Sequence, residues 1–396
     1  MTTYIADVTL FDGRTLKTKQ GVLVEGVSIG WVGAHARAPR GARSATEVDG
    51  RGRTLTPGLI DCHVHLCFDA TADWVAEARE LTPTLATIKA IANGARHLAA
   101  GTTTVRDLGG FGSVVCELGS AIDRGLTRGP RVIAAGRALT VTGGHGHSVG
   151  FAREVDGADA VRQAVREEIK KGATAIKVVA TGGVLTPGIG ATFTAFTSEE
   201  LEAAVDEAHA WGRTVAAHAI GSEGILRATR AGVDSIEHCS LTTAEVAREM
   251  KTRETYRSAT IGAVRGIVSH PDEVPAYAVE KATALEAESR EGFRRTVRGG
   301  VRHVCGTDAR TPFNPHGGAP QELVRMVEWG MTPLQAMRAA TAIGAELLRL
   351  PFVGTVDVGK EADLVLYDGN PTESIEQVLT PRLVLRGGDV VAGQLS

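Results

Sequence analysis

Between residues 57 and 345 the chain alternates short β-prone runs with amphipathic helices, and this alternation restricts the fold more than any other feature. Strands that are each followed by a helix pair in parallel, because only a crossover connection returns the chain to the same edge. The helix over residues 159–171 carries Val161, Val165 and Ile169 at helical spacing and stops at Gly172. A strand over 175–180 and a glycine-rich loop follow. Thr197 and Glu200 then have the Thr-x-x-Glu form of a capping box. It opens a helix with Leu201, Ala204, Val205, Ala208 and Trp211 on one stripe. Strands are expected at 214–218, 235–238 and 302–308, with further runs at 59–66, 103–108, 131–142 and 255–261. Eight such strand–helix units predict a TIM (β/α)8 barrel over 57–345.

The two ends read differently. Residues 1–56 and 346–396 hold β-runs joined by glycine turns, such as the Asp12-Gly13 turn after Tyr4–Phe11, and neither end has enough apolar residues for a core of its own. They are predicted to pack together as one small composite β-sandwich domain beside the barrel. The net charge of −3 offers no basic field for nucleic acid or an anionic membrane. Five scattered cysteines (Cys62, Cys67, Cys116, Cys239 and Cys305) form no Cys-x-x-Cys and fit a reducing compartment. The N-terminus lacks the pattern of a signal peptide and no apolar run is long enough to span a bilayer, so a cytoplasmic protein is expected. The expected partners are a small-molecule substrate and further copies of the same chain in a homo-oligomer.

Polar residues concentrate where such a barrel does its chemistry, at the C-terminal ends of strands. His63 and His65 share a strand face by alternation and make half of a metal site suited to zinc, cobalt or manganese. Lys177, His218, His238 and Asp308 fall at or near later strand ends, with Lys177 in step with Ala175 and Val179, His218 with Ala216, and Asp308 with Gly306 and Val304. Four histidines, a lysine and an aspartate meeting in one place are too polar for a core unless metal is there. Lys177 has two readings. It could point outward to a carboxylate, or it could take up carbon dioxide as a carbamate and offer anionic oxygen to two metals.

The segments Pro57–His65, Ile176-Lys177, Ala217-His218, Ile236–His238 and Gly306–Asp308 resemble the amidohydrolase superfamily, and Val353–Leu366 resembles its usual terminal segment. Thr102–Gly110, Gly143–Gly146 and Thr181–Val184 are similar to the imidazolonepropionase-like branch, which includes Xaa-Pro dipeptidases, ochratoxin-hydrolysing amidases and molinate hydrolase. The resemblance implies a binuclear centre with two divalent ions, zinc first and manganese or cobalt as alternatives. His63, His65 and Asp308 would hold one ion, His218 and His238 the other, and carbamylated Lys177 and a hydroxide would bridge them. It implies hydrolysis of an amide in a dipeptide or N-acyl amino acid, with Asp308 moving the proton.

Around this set, His145 is expected to contact substrate or the developing oxyanion. Arg106 is a candidate to fix a substrate carboxylate, or equally to form an inter-strand ion pair with Asp107 or a neighbour, and Tyr256 is a candidate to reach the pocket from the seventh strand. His147 and the remaining histidines read as bland. Competing functions are hydrolysis of a carbamate, a thiocarbamate or a cyclic amide, then deamination, then a scaffold without catalysis. Deaminases of the superfamily carry Glu three residues after the strand-five histidine, where this chain has Gly221, and a scaffold would have lost ligands.

Overall fold

The computed structural model describes residues 2–395. Its centre consists of parallel strands with helices between them, in two sheets. One has the order Leu59–Val64, Thr102–Asp107, Arg131–Ala134. The other runs Ala152–Glu154, Ala138–Thr140, Ala175–Val179, Thr214–Ala219, Ser235–His238, Tyr256–Ser258, His303–Val304. Backbone hydrogen bonds span both gaps between the sheets. Thr174 N donates to Ala134 O at 2.8 Å, Cys62 N to Cys305 O at 2.8 Å, and Asp308 N to His63 O at 2.7 Å.

Strand alternation sorts the side chains as the sequence suggests. Ile176, Val178, Val215 and Ala217 form one core cluster with Val161 and Val165 of the helix Ala158–Lys170, and with Leu201, Val205 and Ala208 of the helix Ser198–Ala210. Full burial of each large aliphatic chain in such a layer contributes about 1.5–3 kcal/mol. The residues between them, Lys177, Val179 and His218, line a cavity on the other side. The Thr197–Glu200 capping box forms with both of its hydrogen bonds.

Three expectations are corrected. The run 131–142 is two strands in different sheets, because Gly136 turns the chain at φ 68°. Of the run 302–308 only His303–Val304 pairs as strand. Trp211 leaves the buried stripe: it caps its helix, is 56% exposed, and donates Nε1–H to Glu207.

The two chain ends meet in one eight-stranded sheet, in which Leu364–Tyr367 pairs antiparallel with Thr54–Pro57 and Thr2–Phe11 pairs with three neighbours. All eight strands are linked into it by hydrogen bonds. Arg131 joins this sheet to the parallel strands: Nη1 donates to Thr104 Oγ1 at 2.9 Å and to Asp363 at 3.0 Å, and Nη2 reaches Glu361. No helix among the described residues is long and apolar enough to cross a membrane. Arg131→Met would take from Asp363, 4% exposed, its closest charged donor. We expect it to lower stability by about 1–3 kcal/mol in denaturant melts; an unchanged midpoint would show that this junction contributes nothing.

Candidate metal centre

The cavity at the ends of the parallel strands has a volume of about 70 Å³ and is lined by His63, His65, His145, Lys177, His218, His238 and Asp308. Apolar side chains complete it, among them Phe151, Val184, Leu185, Val264 and Ile267. His63, His65 and Asp308 each turn one donor atom to a common point, with all three atoms within 4.8 Å of one another. Asp308 Oδ1 lies 3.2 Å from His65 Nε2 and 3.5 Å from His63 Nε2. The rings of His218 and His238 stand 4.5 Å apart, and His238 is 5.4 Å from His63.

Each histidine has one ring nitrogen committed to a fixed partner. His63 Nδ1 meets Glu237 Oε2 at 2.9 Å, and His65 Nδ1 meets Gly109 O at 2.8 Å. His218 Nε2 meets Gly182 O at 2.8 Å, and His238 Nδ1 meets Thr260 Oγ1 at 2.7 Å. A carboxylate or carbonyl can only accept, so in His63, His65 and His218 the bonded nitrogen carries a hydrogen, and a neutral ring keeps its lone pair on the other. That is the state a metal ligand needs. Burial, together with the charge of Lys177, lowers His63 to about 4 and His218 to about 3, so both are neutral at pH 7. Burial would raise Asp308, but the surrounding imidazoles of His63, His65 and His238 hold its carboxyl well below the usual range.

Lys177 points inward. It is 3% exposed, its Nζ has no hydrogen-bond partner, and burial brings it down to about 8 against the opposing pull of Glu237 and Asp308. The outward, ion-paired reading is therefore excluded. A buried amine without any partner beside five ligand-type side chains fits a site built to hold cations through a modified lysine.

The strand ends are bent to deliver these groups. His238, Cys239, Thr260, Asp308 and Arg310 have φ of 67°, 54°, 50°, 56° and 118°, in the left-handed region that side chains other than glycine rarely adopt. Alternation thus stops before His238 and Asp308, whose directions the parity argument could not give. Asp61 ties two of these ends: it accepts from Thr307 Oγ1 at 2.7 Å, Thr307 N at 3.0 Å and His63 N at 3.2 Å. Asp107 accepts from Leu66 N at 2.7 Å and Gly109 N at 3.1 Å, which fixes the carbonyl that His65 uses.

Two substrate contacts expected from the sequence are corrected. Arg106 does not reach the cavity. It is 0% exposed and donates to Cys62 O, Ser235 Oγ and Glu237 Oε1 at 2.7, 3.1 and 2.9 Å, so each of its three nitrogens is engaged inside the protein. Tyr256 packs with Ile60, Cys62 and Val304 under the guanidinium of Arg302, away from the cavity wall. His145 does line the cavity, 4.8 Å from the ring of His218, and His147 is exposed as expected. Gly183 lets the chain pass over His145, since a Cβ there would sit 2.4 Å from the ring.

The sequence reading missed Glu237 and Arg310. Glu237 stands beside His238, and its parity with Ser235 already aimed it inward. Arg310 follows Asp308 by two, a spacing that signals nothing once the strand has ended.

The amidohydrolase family model matches residues 54–391. The ochratoxinase of Aspergillus niger is 33% identical to this chain over 422 aligned residues, covering 96% of it and 84% of the relative. The crystal structure of a Xaa-Pro dipeptidase with methionine bound in its active site is similar at a TM-score of 0.92 and 33% identity, over 99% of this chain and 100% of that one. A prolidase complexed with N-methylphosphonate-L-proline is similar at 0.90 and 32% identity, over 100% of both. With a family model spanning most of its length, the chain belongs to the amidohydrolase family, in the branch that holds ochratoxinase and the prolidases.

Proposed function

We propose that this protein is a binuclear, metal-dependent hydrolase that cleaves the amide bond of a small substrate such as a dipeptide or an N-acyl amino acid. The observation that carries the reading is the convergence of lone-pair-bearing His63, His65 and His218 with Asp308 around the unpartnered amine of Lys177. His63, His65 and Asp308 would hold one ion and His218 and His238 the other, with the Lys177 carbamate between them; zinc suits this donor set, and manganese or cobalt would also fit. Such ions supply a lowered pKa for water and a polarised scissile carbonyl.

The protein's own groups do the rest. Asp308, held low and close to His65, is the base that takes the proton of the attacking water and passes it to the leaving nitrogen. The Thr186 hydroxyl accepts from Gly146 N at 3.1 Å, so its own hydrogen is free for His145 Nδ1 at 2.7 Å. His145 then carries hydrogen on Nε2 and can donate to the carbonyl oxygen as negative charge develops there. The apolar wall excludes bulk water. Ochratoxinase and the prolidases at 32–33% identity support amide bonds over the carbamate and cyclic-amide alternatives.

The expected architecture goes with this reading. We take the two parallel sheets as one eight-stranded barrel over 57–345, supported by the hydrogen bonds across both gaps, with 1–56 and 346–396 as the composite terminal domain. Five free, buried cysteines are in keeping with a cytoplasmic site of action, and a homo-oligomer is retained as the expected assembly.

Two measurements test the centre. Lys177→Ala should lower bound metal, read by elemental analysis, from about two ions per chain, and lower hydrolysis with it; two tightly held ions in that variant would eliminate the carbamate. Asp308→Asn should keep the fold by circular dichroism while turnover of N-acyl amino acids or dipeptides falls by about 10²-fold or more. Near-normal rates would remove Asp308 as the proton carrier.

A further inference from the structure

Arg310 is the charged group in the cavity wall that the centre leaves unexplained. It is 4% exposed, yet neither Nε nor Nη1 has a hydrogen-bond partner, and among the described residues it enters no ion pair. Arg106, buried beneath the same cavity, has three partners. An arginine fork without acceptors costs stability, because desolvation of each N–H is not offset. Its backbone is strained as well, at φ 118°, and is held there by Arg310 N donating to Asn314 O at 3.1 Å. The guanidinium carbon stands 5.2 Å from the ring centre of Phe68 and 5.1 Å from that of Phe151. Aromatic rings contact the cation without satisfying its N–H groups, so the fork is oriented and its donors stay available. The nearest acids, Asp308 and Glu77, attract it from beyond ion-pair distance.

We propose that Arg310 recognises a carboxylate on the substrate by a bidentate contact, and so restricts this site to anionic amides with a small apolar body. This rests on the amide-hydrolase reading and names its substrate class. Carboxylate geometry matches two parallel N–H donors of a guanidinium, and the apolar wall of Val184, Leu185, Val264 and Ile267 suits an aliphatic group beside it. Arg310 takes over the role that the sequence had suggested for Arg106, which lies under the site with each of its nitrogens bonded inside the protein.

The test compares a carboxylate with its neutral partner. The probes are N-acetyl-L-leucine and its primary amide as substrates. For binding, the uncleavable analogue 2-isobutyl-4-oxopentanoate, in which the amide NH is replaced by CH2, is compared with its primary amide. On metal-loaded wild-type protein, calorimetry should give binding of the acid about tenfold or more tighter than of its amide. Arg310→Met should abolish that preference while leaving the amide within about threefold, and Arg310→Lys should restore part of it. Equal binding of acid and amide by the wild type would overturn the proposal without any variant, and so would an acid preference that survives in Arg310→Met. Loss of binding to both probes in a folded Arg310→Met would assign Arg310 to packing between Phe68 and Phe151 and overturn it too. Acid-selective binding that depends on Arg310, without turnover of any amide, would sink the hydrolase reading and leave this one standing.

Discussion

The interior is organised around one buried hydrogen-bonded chain: Arg106, Glu237 and His63. Glu237 is 0% exposed, and burial alone would push its carboxyl up, but the Arg106 guanidinium and the His63 ring hold it well below the usual range. An ion pair this deep is worth little as a source of stability, because desolvation cancels most of its attraction. Its value is positional. Arg106 reaches from the strand Thr102–Asp107 to Cys62 O on one side and to Ser235 and Glu237 on the other, so one side chain fixes three strands across the interior. Glu237 then fixes the tautomer of His63, and His63 faces Asp308. A neutral glutamine at 237 could present its amide either way round and would lose that control over which nitrogen of His63 is free.

Above this chain, the strand ends that face the cavity trade regular geometry for direction. Five left-handed residues at and around the cavity turn His238 and Asp308 out of their strands, and Asp61 and Asn314 hold the bent segment. Such conformations persist only where neighbouring bonds over-determine them. Asn314 Nδ2 donates to the carbonyls of Thr307 and Asp308 at 2.8 and 3.0 Å, and the Asn314 backbone carbonyl takes Arg310 N. The turn that presents Asp308 to the histidines therefore also presents Arg310 to the cavity. Asp308 and Arg310 share one loop braced by Asn314.

How much of this was legible in the sequence follows from where regular structure ends. Inside strands, period-two alternation is enforced by the pleat, so Lys177 and His218 could be assigned inward and Ile176 and Ala217 outward. The capping box at Thr197 was readable because its hydrogen bonds are local. Past Glu237 the backbone turns left-handed and past Val304 strand pairing ends, so alternation carries no information there, and the parity of Asp308 with Val304 and Gly306 was a weaker guide than its place near a strand end. Arg106 was misassigned for a different reason. A strand-end arginine looks the same in sequence whether it meets a substrate or a carboxylate on a distant strand, and only the fold brings Glu237 to it. The terminal strands announced themselves by turns and apolar runs, but not that they would join in a single sheet.

The size of the cavity adds a last constraint. A volume of about 70 Å³ leaves room for a few waters between the polar groups and the apolar wall. That wall includes Val184 and Leu185, whose loop is pinned to the helix Ala276–Arg298. Lys281 Nζ donates to the carbonyls of Gly183, Thr186 and Ile189 at 3.3, 2.8 and 2.6 Å, and Tyr277 OH to Leu185 O at 3.1 Å. The same loop holds His145 through Thr186. Lys281 and Tyr277 thus hold, through one loop, both part of the apolar wall and the hydroxyl that bonds His145 Nδ1.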